Sequence, residues 1–328
     1  MASLIREPFG EPVNMRQAYG EALVELGRAR PDVVVLSADV QNSDFSYRFE
    51  EQFPDRYVNV GIAEPALVDA AVGLANCGFV PIANTFAFLF ATRALEMVRT
   101  HLCYGEANVK LAGAYAGISD SFDGPTHHAI TDLAILRSLP RMTIVVPADP
   151  LAVALLLPQL AAWRGPVFFR LCRNEVPQIF TETYQPHIGE AVTLREGSDV
   201  TLIACGVMVA RTLLAAQQLA REGIEACVVE VHTIKPLDGN SVTRAARATG
   251  AIVTIEEHSI IGGLGGAVAE HLCSNCPVPL ERVGIADEFT ESGPYADLLD
   301  KYGMSVTAIS GAARRAVARK PGAVCEVV

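Results

Sequence analysis

One carboxylate in this sequence stands where it could take part in proton transfer. Glu64 follows a short apolar run and a glycine turn, and it begins an apolar segment that is typical of a helix. A carboxylate at a helix N-terminus is favoured by the helix dipole and by free backbone N–H groups, so position alone predicts only a helix-stabilising residue. A catalytic role requires other polar groups at the same place.

Such groups follow three other predicted strands, at residues 39–43, at residues 123–127 and at Arg173. Ligands bind beyond the carboxyl ends of the strands in an open parallel sheet, so we expect these groups to lie near Glu64 and the phenylalanine-rich segment 86–90. The sequence has neither a GxSxG nucleophile motif nor an HExxH metal motif. Carboxylates, histidines, arginines and aromatic rings without a nucleophile indicate a site that supports an organic cofactor.

The elements that must hold these groups alternate between strand and helix. Strands are predicted at 33–36, 58–60, 79–83, 108–112, 142–147 and 166–171, and helices at 14–29, 130–138 and 150–162. After a polar link at 174–189, strands follow at 200–204, 226–231 and 251–256, with helices at 207–221 and 239–248. This pattern predicts an α/β fold of two doubly wound domains. A larger parallel-sheet domain is expected at 1–180, a linker at 181–190, and a smaller domain with a mostly parallel sheet at 191–328.

The composition excludes several classes of protein. With 328 residues, 50% of them apolar and 19% charged, the chain is long enough to bury two cores. The net charge of −11 and the lack of a Lys/Arg cluster argue against nucleic acid and anionic membranes as partners. The sequence shows no run of about 18 apolar residues that could span a membrane and no signal peptide, so a cytoplasmic protein is expected.

Eight cysteines are spread along the chain, most of them in apolar runs, and we interpret these as small buried residues of a reducing compartment. Cys273 and Cys276 have CxxC spacing, but no second pair completes a metal site, so no metal ligands are predicted. The glycine-rich turn 262–266 lacks the P-loop lysine and the GxGxxG pattern. Close packing of a helix on a sheet is the expected reason for its glycines.

Seven motifs occur in an order and spacing that resemble a known family. They lie at 15–20, 37–43, 61–64, 84–87, 123–127, 233–238 and 256–258, the last followed by a Gly-Gly-Leu-Gly turn. The chain resembles the C-terminal two-thirds of a transketolase, which comprises the pyrimidine-binding domain and a smaller C-terminal domain. The resemblance covers nearly the whole chain.

This resemblance implies thiamine diphosphate as the cofactor. Glu64 matches the glutamate that hydrogen-bonds N1′ of the aminopyrimidine and supports the tautomer that activates the thiazolium ring. Phe90 best matches the ring that stacks on the aminopyrimidine, with Phe86 as another wall. The Phe-Ala-Phe-Leu-Phe run leaves this match ambiguous by one residue. Asp39 belongs to the same cofactor-binding set.

Donor-binding roles follow from the same resemblance. His127 matches a catalytic histidine that touches donor oxygens near C1, and Asp123 matches an aspartate that binds a donor hydroxyl. Arg16, Ser43 and Arg173 match groups that hold the phosphate of the sugar. Two guanidinium groups and a hydroxyl are suited to bind such an anion.

One position departs from the family pattern. Tyr115 stands where the family has a histidine at the phosphate site. A phenol can donate a hydrogen bond, but it does not carry the positive charge that a histidine can. The usual sugar phosphates, a different phosphorylated sugar and a sulfonated sugar therefore stay open as donors.

The resemblance also implies a site shared between two kinds of subunit. A complete transketolase binds the diphosphate through Mg²⁺ in an N-terminal domain marked by a Gly-Asp-Gly turn, and this sequence has no such turn. We therefore expect the Mg²⁺ ligands on a separate N-terminal-type subunit. The expected assembly is a heterotetramer of two copies of each chain, with a dimer of this chain at its centre.

The function implied is transfer of a two-carbon ketol unit from a ketose phosphate, or a related sugar, to an aldose. Alternatives with the same cofactor are the β-type subunit of a 2-oxo acid dehydrogenase and an enzyme like 1-deoxyxylulose-5-phosphate synthase. The anion-binding set disfavours the dehydrogenase, which handles no phosphate. A non-catalytic regulatory homologue is a third alternative, and the intact site residues disfavour it.

Overall fold

The computed structural model of the protein describes residues 3–320, so Cys325 lies outside the described part. Up to residue 180 the elements are β1 (Ile5–Asn14), α1 (Met15–Ala29), β2 (Val33–Ser37), α2 (Gln41–Asp44), α3 (Tyr47–Gln52), β3 (Tyr57–Asn59), α4 (Glu64–Asn76), β4 (Val80–Phe86), α5 (Ala87–Ala91), α6 (Leu95–Met97), β5 (Lys110–Ala114), α7 (Asp132–Arg137), β6 (Thr143–Val145), α8 (Pro150–Ala162), β7 (Val167–Arg170) and β8 (Glu175–Phe180). The later elements are β9 (Val192–Arg195), β10 (Val200–Ala204), α9 (Met208–Arg221), β11 (Ala226–Glu230), β12 (Thr233–Lys235), α10 (Gly239–Thr249), β13 (Ile252–Ser259), α11 (Leu264–Asn275), β14 (Leu280–Ile285), α12 (Tyr295–Lys301) and α13 (Val306–Ala318). Short 3₁₀ turns occur at Pro54–Arg56 and Gly124–Thr126, and Val98–Tyr104 is π-helical.

A seven-stranded sheet organises the first part of the chain. Its strand order is β12-β6-β7-β5-β4-β2-β3, and all neighbours are parallel except β12 and β6. Residues of α1 and α8 belong to one buried apolar cluster, whereas residues of α4, α5 and α7 belong to a second. Helices therefore cover both faces of the sheet, as its near-continuous apolar strands require.

A second, five-stranded sheet has the order β14-β13-β10-β11-β9, and only β9 runs antiparallel to its neighbour. The predicted α/β fold with two mostly parallel sheets is confirmed. The domain boundaries at 180 and 191 stay a prediction. One strand crosses between the two parts: β12, at Thr233–Lys235, pairs with β6 of the first sheet rather than with the second sheet.

The link predicted at 174–189 contains a strand that the sequence pattern did not indicate. β8 pairs antiparallel with β1, with Ile5 opposite Phe180 and Val13 opposite Val176, and the register shifts twice between these pairs. Prolines lie in both strands and lack the N–H that a regular ladder requires. An irregular two-stranded ribbon tolerates these prolines. Because prolines are unusual in strands, the sequence pattern did not indicate the ribbon.

The glycine-rich turn before α11 serves packing, as expected. A side chain at Gly263 would lie 2.0 Å from a carboxylate oxygen of Glu256. The same carboxylate accepts hydrogen bonds from the backbone N–H groups of Leu264 and Gly265, each at 2.7 Å. The N-terminus of this helix is therefore satisfied from within the protein.

A buried ion pair lies where the two sheets meet. Nε of Arg170 donates to Asp132 at 2.7 Å, and its Nη2 donates to the backbone carbonyl of Glu257 at 3.0 Å. The carboxylate of Glu257 in turn accepts from the backbone N–H of Ile118 at 2.9 Å. Glu257 lies in β13 of the second sheet, and Ile118 lies in the loop that carries the candidate site, so the second domain helps to hold that loop.

We expect Glu230 to make the protein less stable as the pH rises. Burial raises the pKa of its carboxyl to about 8, and Tyr184 donates to it at 2.7 Å. An unfolded glutamate titrates at roughly pH 4.3, so between that pH and about 8 the native state binds the extra proton and the free energy of unfolding falls. Urea unfolding of Glu230→Gln at roughly pH 5.5, 7.0 and 8.5 should show a flatter decline than the wild type.

The control for this prediction is Glu190→Gln, which changes an exposed carboxylate. Burial also raises the pKa values of Asp44 and Glu257 to about 7, but these groups are present in both proteins and cancel in the comparison. Parallel pH profiles for Glu230→Gln and the wild type would contradict the assignment.

Candidate functional site

Glu64 is the first residue of α4 and follows the edge strand β3. Its side chain is 2% exposed, and Nη1 of Arg93 donates to both of its carboxylate oxygens, at 3.1 and 3.0 Å. The Arg93 side chain is 53% exposed, so the ion pair lies at a surface opening. Gly61, in the preceding turn, has a φ of 74° and nothing near the position of a β-carbon. The structure therefore offers a buried carboxylate that can be approached from outside.

Asp39 lies beside this turn, at the carboxyl end of β2. Its φ of 61° is in the left-handed region, where non-glycine residues are uncommon and occur at functional sites. Nδ2 of Asn59 donates to the Asp39 carboxylate at 3.0 Å, and Oδ1 of Asn59 accepts from the backbone N–H of Gly61 at 2.9 Å. Asn59 thus connects Asp39 to the turn that precedes Glu64.

Aromatic rings form the next part of the site, where β4 passes into α5. The ring of Phe86 stacks on Tyr115 with centroids 4.5 Å apart. The ring of Phe88 meets His127 edge-on at 5.5 Å. Phe86 and Phe88 are both partly exposed. They are the rings that a planar ligand near His127 could reach.

Phe90, by contrast, does not lie in this wall. It is 0% exposed and packs with its ring edge towards Phe168 at 6.4 Å. Residues two positions apart on a helix point in nearly opposite directions, so α5 presents Phe88 outward when it buries Phe90. The resemblance matched Phe90 to the ring that stacks on the aminopyrimidine, and the complete burial of Phe90 in this structure does not agree with that role.

Arg16 and Tyr115 form the centre of the predicted anion site. Nη1 of Arg16 donates to the backbone carbonyl of Ser43 at 2.6 Å and to the Tyr115 hydroxyl at 3.3 Å. Ser43 therefore contacts Arg16 through its main chain, which leaves its hydroxyl for other partners. Nε of Arg16 is buried and has no hydrogen-bond partner among the described residues. A buried donor of this kind gains most from an acceptor supplied by a ligand.

Arg173 approaches Tyr115 from another direction. Its guanidinium carbon lies 4.8 Å from the centroid of the Tyr115 ring, and that of Arg16 lies 5.4 Å from it. Both distances fit cation–π contacts. Nη1 of Arg173 donates to Asp120 and lies 3.7 Å from Asp123. Tyr115 has a φ of 60°, so a strained backbone places its ring close to both cations.

Burial shifts the pKa values of several groups here. It lowers the pKa of Arg16, and Tyr115 partly opposes this shift. It raises the pKa of Asp120 to about 6, against the opposing effect of Arg173. It also raises the pKa of Asp44, whose charge faces Arg16, to about 7. Burial thus favours the neutral forms of these two carboxyl groups, whereas the neighbouring arginines favour the ionised forms.

The two histidines of the loop differ in their surroundings. His127 is partly exposed, and its Nδ1 lies 3.0 Å from the hydroxyl of Thr126. His128 is buried and bridges two segments: its Nε2 donates to the backbone carbonyl of Asp120 at 3.1 Å, and its Nδ1 lies 2.5 Å from the hydroxyl of Thr290. Burial lowers the pKa of His128, which favours the neutral ring. His127 faces the site, whereas His128 ties the loop to the second domain.

The structure brings nine of the ten predicted site residues to one edge of the first sheet. They are Arg16, Asp39, Ser43, Glu64, Phe86, Tyr115, Asp123, His127 and Arg173. They follow β1, β2, β3, β4, β5 and β7, whose parallel members end at the same side. Sequence reasoning missed Arg93, Phe88 and Asp120. Phe88 had a signal, because it lies in the phenylalanine-rich segment 86–90, and so did Asp120, which lies three residues before Asp123.

Three further observations concern residues 3–320 only. This part of the chain contains no cluster of three or more His, Cys, Asp or Glu side chains able to hold a metal ion. Within the same range, every helix is too short or too polar to cross a membrane. The cysteines described there are free thiols, with Cys77 and Cys273 exposed and four others buried.

Two families of known proteins match consecutive parts of this chain. The family described as the pyrimidine-binding domain of transketolase matches residues 11–178, and that described as the transketolase C-terminal domain matches residues 189–309. The chain belongs to the transketolase family. This family consists of transferases, and the resemblance seen in the motifs is confirmed.

Three similar proteins refine this relationship. The 6-deoxy-6-sulfo-D-fructose transketolase subunit SqwH of Clostridium sp. (strain MSTE9) is 41% identical, over 93% of this chain and 95% of its own length. A subunit of the apulose-4-phosphate transketolase of Phocaeicola vulgatus is 36% identical, over 88% of this chain and 93% of its own length. A solved structure described as a split gene transketolase, inactive beta4 tetramer, is 44% identical, with a TM-score of 0.89 over 94% of this chain and 100% of that one. The chain is therefore similar, over nearly its whole length, to subunits of transketolases and to a split gene transketolase.

Proposed function

We propose that this chain binds the aminopyrimidine half of thiamine diphosphate and, with a separate N-terminal-type subunit, transfers a two-carbon ketol unit from a ketose to an aldose. The observation that carries the proposal is Glu64, a carboxylate with a 2% exposed side chain at the start of a helix and at a surface opening. It lies at the same sheet edge as the rings of Phe86 and Phe88, which suits a planar heterocycle with one ring nitrogen to protonate.

The residues present fit one half of the cofactor. When bound, thiamine diphosphate would supply the carbon nucleophile that this chain's own residues lack. Glu64 would hold and exchange a proton with the ring nitrogen, and Arg93 would have to give up its contact with that carboxylate. Phe88 would serve as the stacking ring in place of Phe90, with Phe86 and Asp39 at the border of the pocket. His127 would face the reacting end of the donor.

The other half of the cofactor would be bound elsewhere. Mg²⁺ requires oxygen ligands in octahedral geometry, and residues 3–320 offer no acidic cluster for it. We propose that the Mg²⁺ and diphosphate ligands lie on the N-terminal-type subunit, in a cytoplasmic heterotetramer with a dimer of this chain at its centre. The relative described as an inactive beta4 tetramer is consistent with a chain of this type needing its partner.

The donor would be a ketose with a terminal anion. Arg16, Arg173, Tyr115 and the Ser43 loop would hold that anion, and Asp123 would bind a hydroxyl group. Names of the relatives include both a sulfonated and a phosphorylated sugar. Either anion can accept the charge-assisted hydrogen bonds that a guanidinium donates.

A calorimetric titration with thiamine diphosphate and Mg²⁺ tests the shared site. We expect no measurable binding to this chain alone and tight binding to its mixture with the N-terminal-type subunit, because the diphosphate ligands come from the partner. Tight binding to the chain alone would contradict the split site. Release of CO₂ from a 2-oxo acid by the complex, without ketol transfer, would contradict the transketolase activity.

A further inference from the structure

Asp120 is a charged residue of the anion site to which the sequence motifs assign no role. It is 0% exposed, and its Oδ1 accepts a hydrogen bond from Nη1 of Arg173. Asn174 and Arg173 also hold the preceding residue Ser119, whose backbone carbonyl and hydroxyl accept from them at 3.0 and 3.1 Å. Hydrogen bonds within this loop thus hold the buried Asp120 beside Arg173.

The charges that face the anion site nearly cancel. Arg16 and Arg173 supply two positive charges, whereas Asp120 and Asp123 supply two negative ones in their ionised forms, the farther of them 3.7 Å from Arg173. The buried Asp44 adds a further negative charge near Arg16 when it is ionised. Tyr115, whose ring contacts both arginines, is a neutral phenol. The positive charge of Arg173 is therefore largely compensated before any ligand arrives, and Arg16 is the cation with a free donor among the described residues.

This balance distinguishes between the two common terminal anions of sugars. A phosphate ester carries about −1.5 to −2 charges at pH 7. A sulfonate carries one charge at every physiological pH and has three equivalent oxygens. The second charge of a phosphate would meet Asp120 without a further cation to offset it, and Coulomb repulsion across a few ångströms in a partly buried site is large.

We propose that Asp120 makes this site selective for a donor with a singly charged sulfonate over a donor with a doubly charged phosphate. The inference rests on the proposed transketolase function and on the same anion site. Asp120 acts through Arg173, so it is a specificity-determining residue rather than a catalytic one.

The test compares 6-deoxy-6-sulfofructose with fructose 6-phosphate as donors for the complex of both subunits, with one aldose acceptor. We expect the wild type to prefer the sulfonated donor in kcat/KM by about tenfold or more. Asp120→Asn removes the charge and keeps the shape, so it should reduce this preference about tenfold, mainly by improving use of the phosphate. Asp120→Glu keeps the charge and should keep the preference.

A matched control is Asp300→Asn, which removes a carboxylate that also pairs with an arginine, Arg211, on the second domain. It should leave the preference unchanged. Calorimetric titration of the full chain alone with the same two sugars provides a readout that needs no turnover. Tighter binding of the sulfonate would support the inference even if neither sugar were turned over and the proposed activity failed.

Two outcomes would overturn the inference. One is a wild-type preference for the phosphate donor, which would leave the ketol transfer itself standing. The other is an unchanged preference in Asp120→Asn when Asp120→Asn folds and assembles like the wild type.

Discussion

Replacement of Glu64 by glutamine should abolish ketol transfer while the fold survives. Glutamine has the same size and can still accept from Arg93, but it cannot hold or exchange a proton with a ring nitrogen. General acid–base groups contribute about 10²–10⁴-fold to rate, so we expect kcat to fall by at least about a hundredfold. Steady-state kinetics of the complex measures this loss, and a thermal unfolding scan measures the stability.

The stability should change little, because the ion pair with Arg93 is half-exposed on the arginine side and exposed pairs contribute only about 0–1 kcal/mol. Glu96→Gln, which changes an exposed carboxylate on the neighbouring short helix, is the control. It should retain full activity. Near-normal turnover by Glu64→Gln would remove this residue from the mechanism.

The location of Glu64 was predictable because two local signals coincide there. A glycine turn and an apolar segment predict the start of a helix, and α4 begins at that residue. The rule that ligands bind at the carboxyl ends of parallel strands then predicted which loops meet. Neither step needed knowledge of packing, and both describe the observed sheet edge.

The stacking ring could not be predicted in the same way. Phe86, Phe88 and Phe90 are the same residue type and differ only in the direction in which each side chain points. The sequence spacing cannot reveal that the strand β4 continues to Phe86 before α5 begins. Once that boundary is fixed, the helix turns Phe90 into the core beside Phe168 and leaves Phe88 outside. A shift of one or two residues in an element boundary therefore decides the role of a ring.

Contacts between segments that are distant in the sequence were the other feature that could not be predicted. Arg93 lies 29 residues after Glu64, and Asp120 lies 53 residues before Arg173. Their pairing depends on how α5 and the loop after β5 fold over the sheet, which no local pattern encodes. The ribbon of β1 and β8 was missed because prolines interrupt the pattern of both strands and because its partner residues lie far apart in the chain, as Ile5 and Phe180 do. Chemistry carried by local motifs was predictable, whereas its electrostatic tuning was not.

Arg16→Ala should weaken the binding of anionic donors more than any other single change at the anion site. Arg16 is the cation whose buried Nε has no partner among the described residues, and it also holds the Ser43 carbonyl and the Tyr115 hydroxyl. A hydrogen bond to a charged group contributes about 1.5–3 kcal/mol, so we expect KM for a sulfonated or phosphorylated donor to rise roughly 10–100-fold. The KM for an uncharged ketose should change by less than about threefold, because such a sugar makes no charge-assisted hydrogen bond.

Substitutions of two other arginines distinguish an effect of charge on donor binding from an effect of packing. The guanidinium carbon of Arg48 lies 5.8 Å from the centroid of the Phe45 ring, which Arg16 also approaches at 5.3 Å, but Arg48 pairs with the exposed Glu21. Arg48→Ala should therefore leave both KM values unchanged. Arg173→Ala should raise KM for anionic donors less than Arg16→Ala does, because Asp120 already compensates the charge of Arg173. If Arg16→Ala impaired charged and uncharged donors equally, Arg16 would be a structural residue, and the anion would have to bind elsewhere.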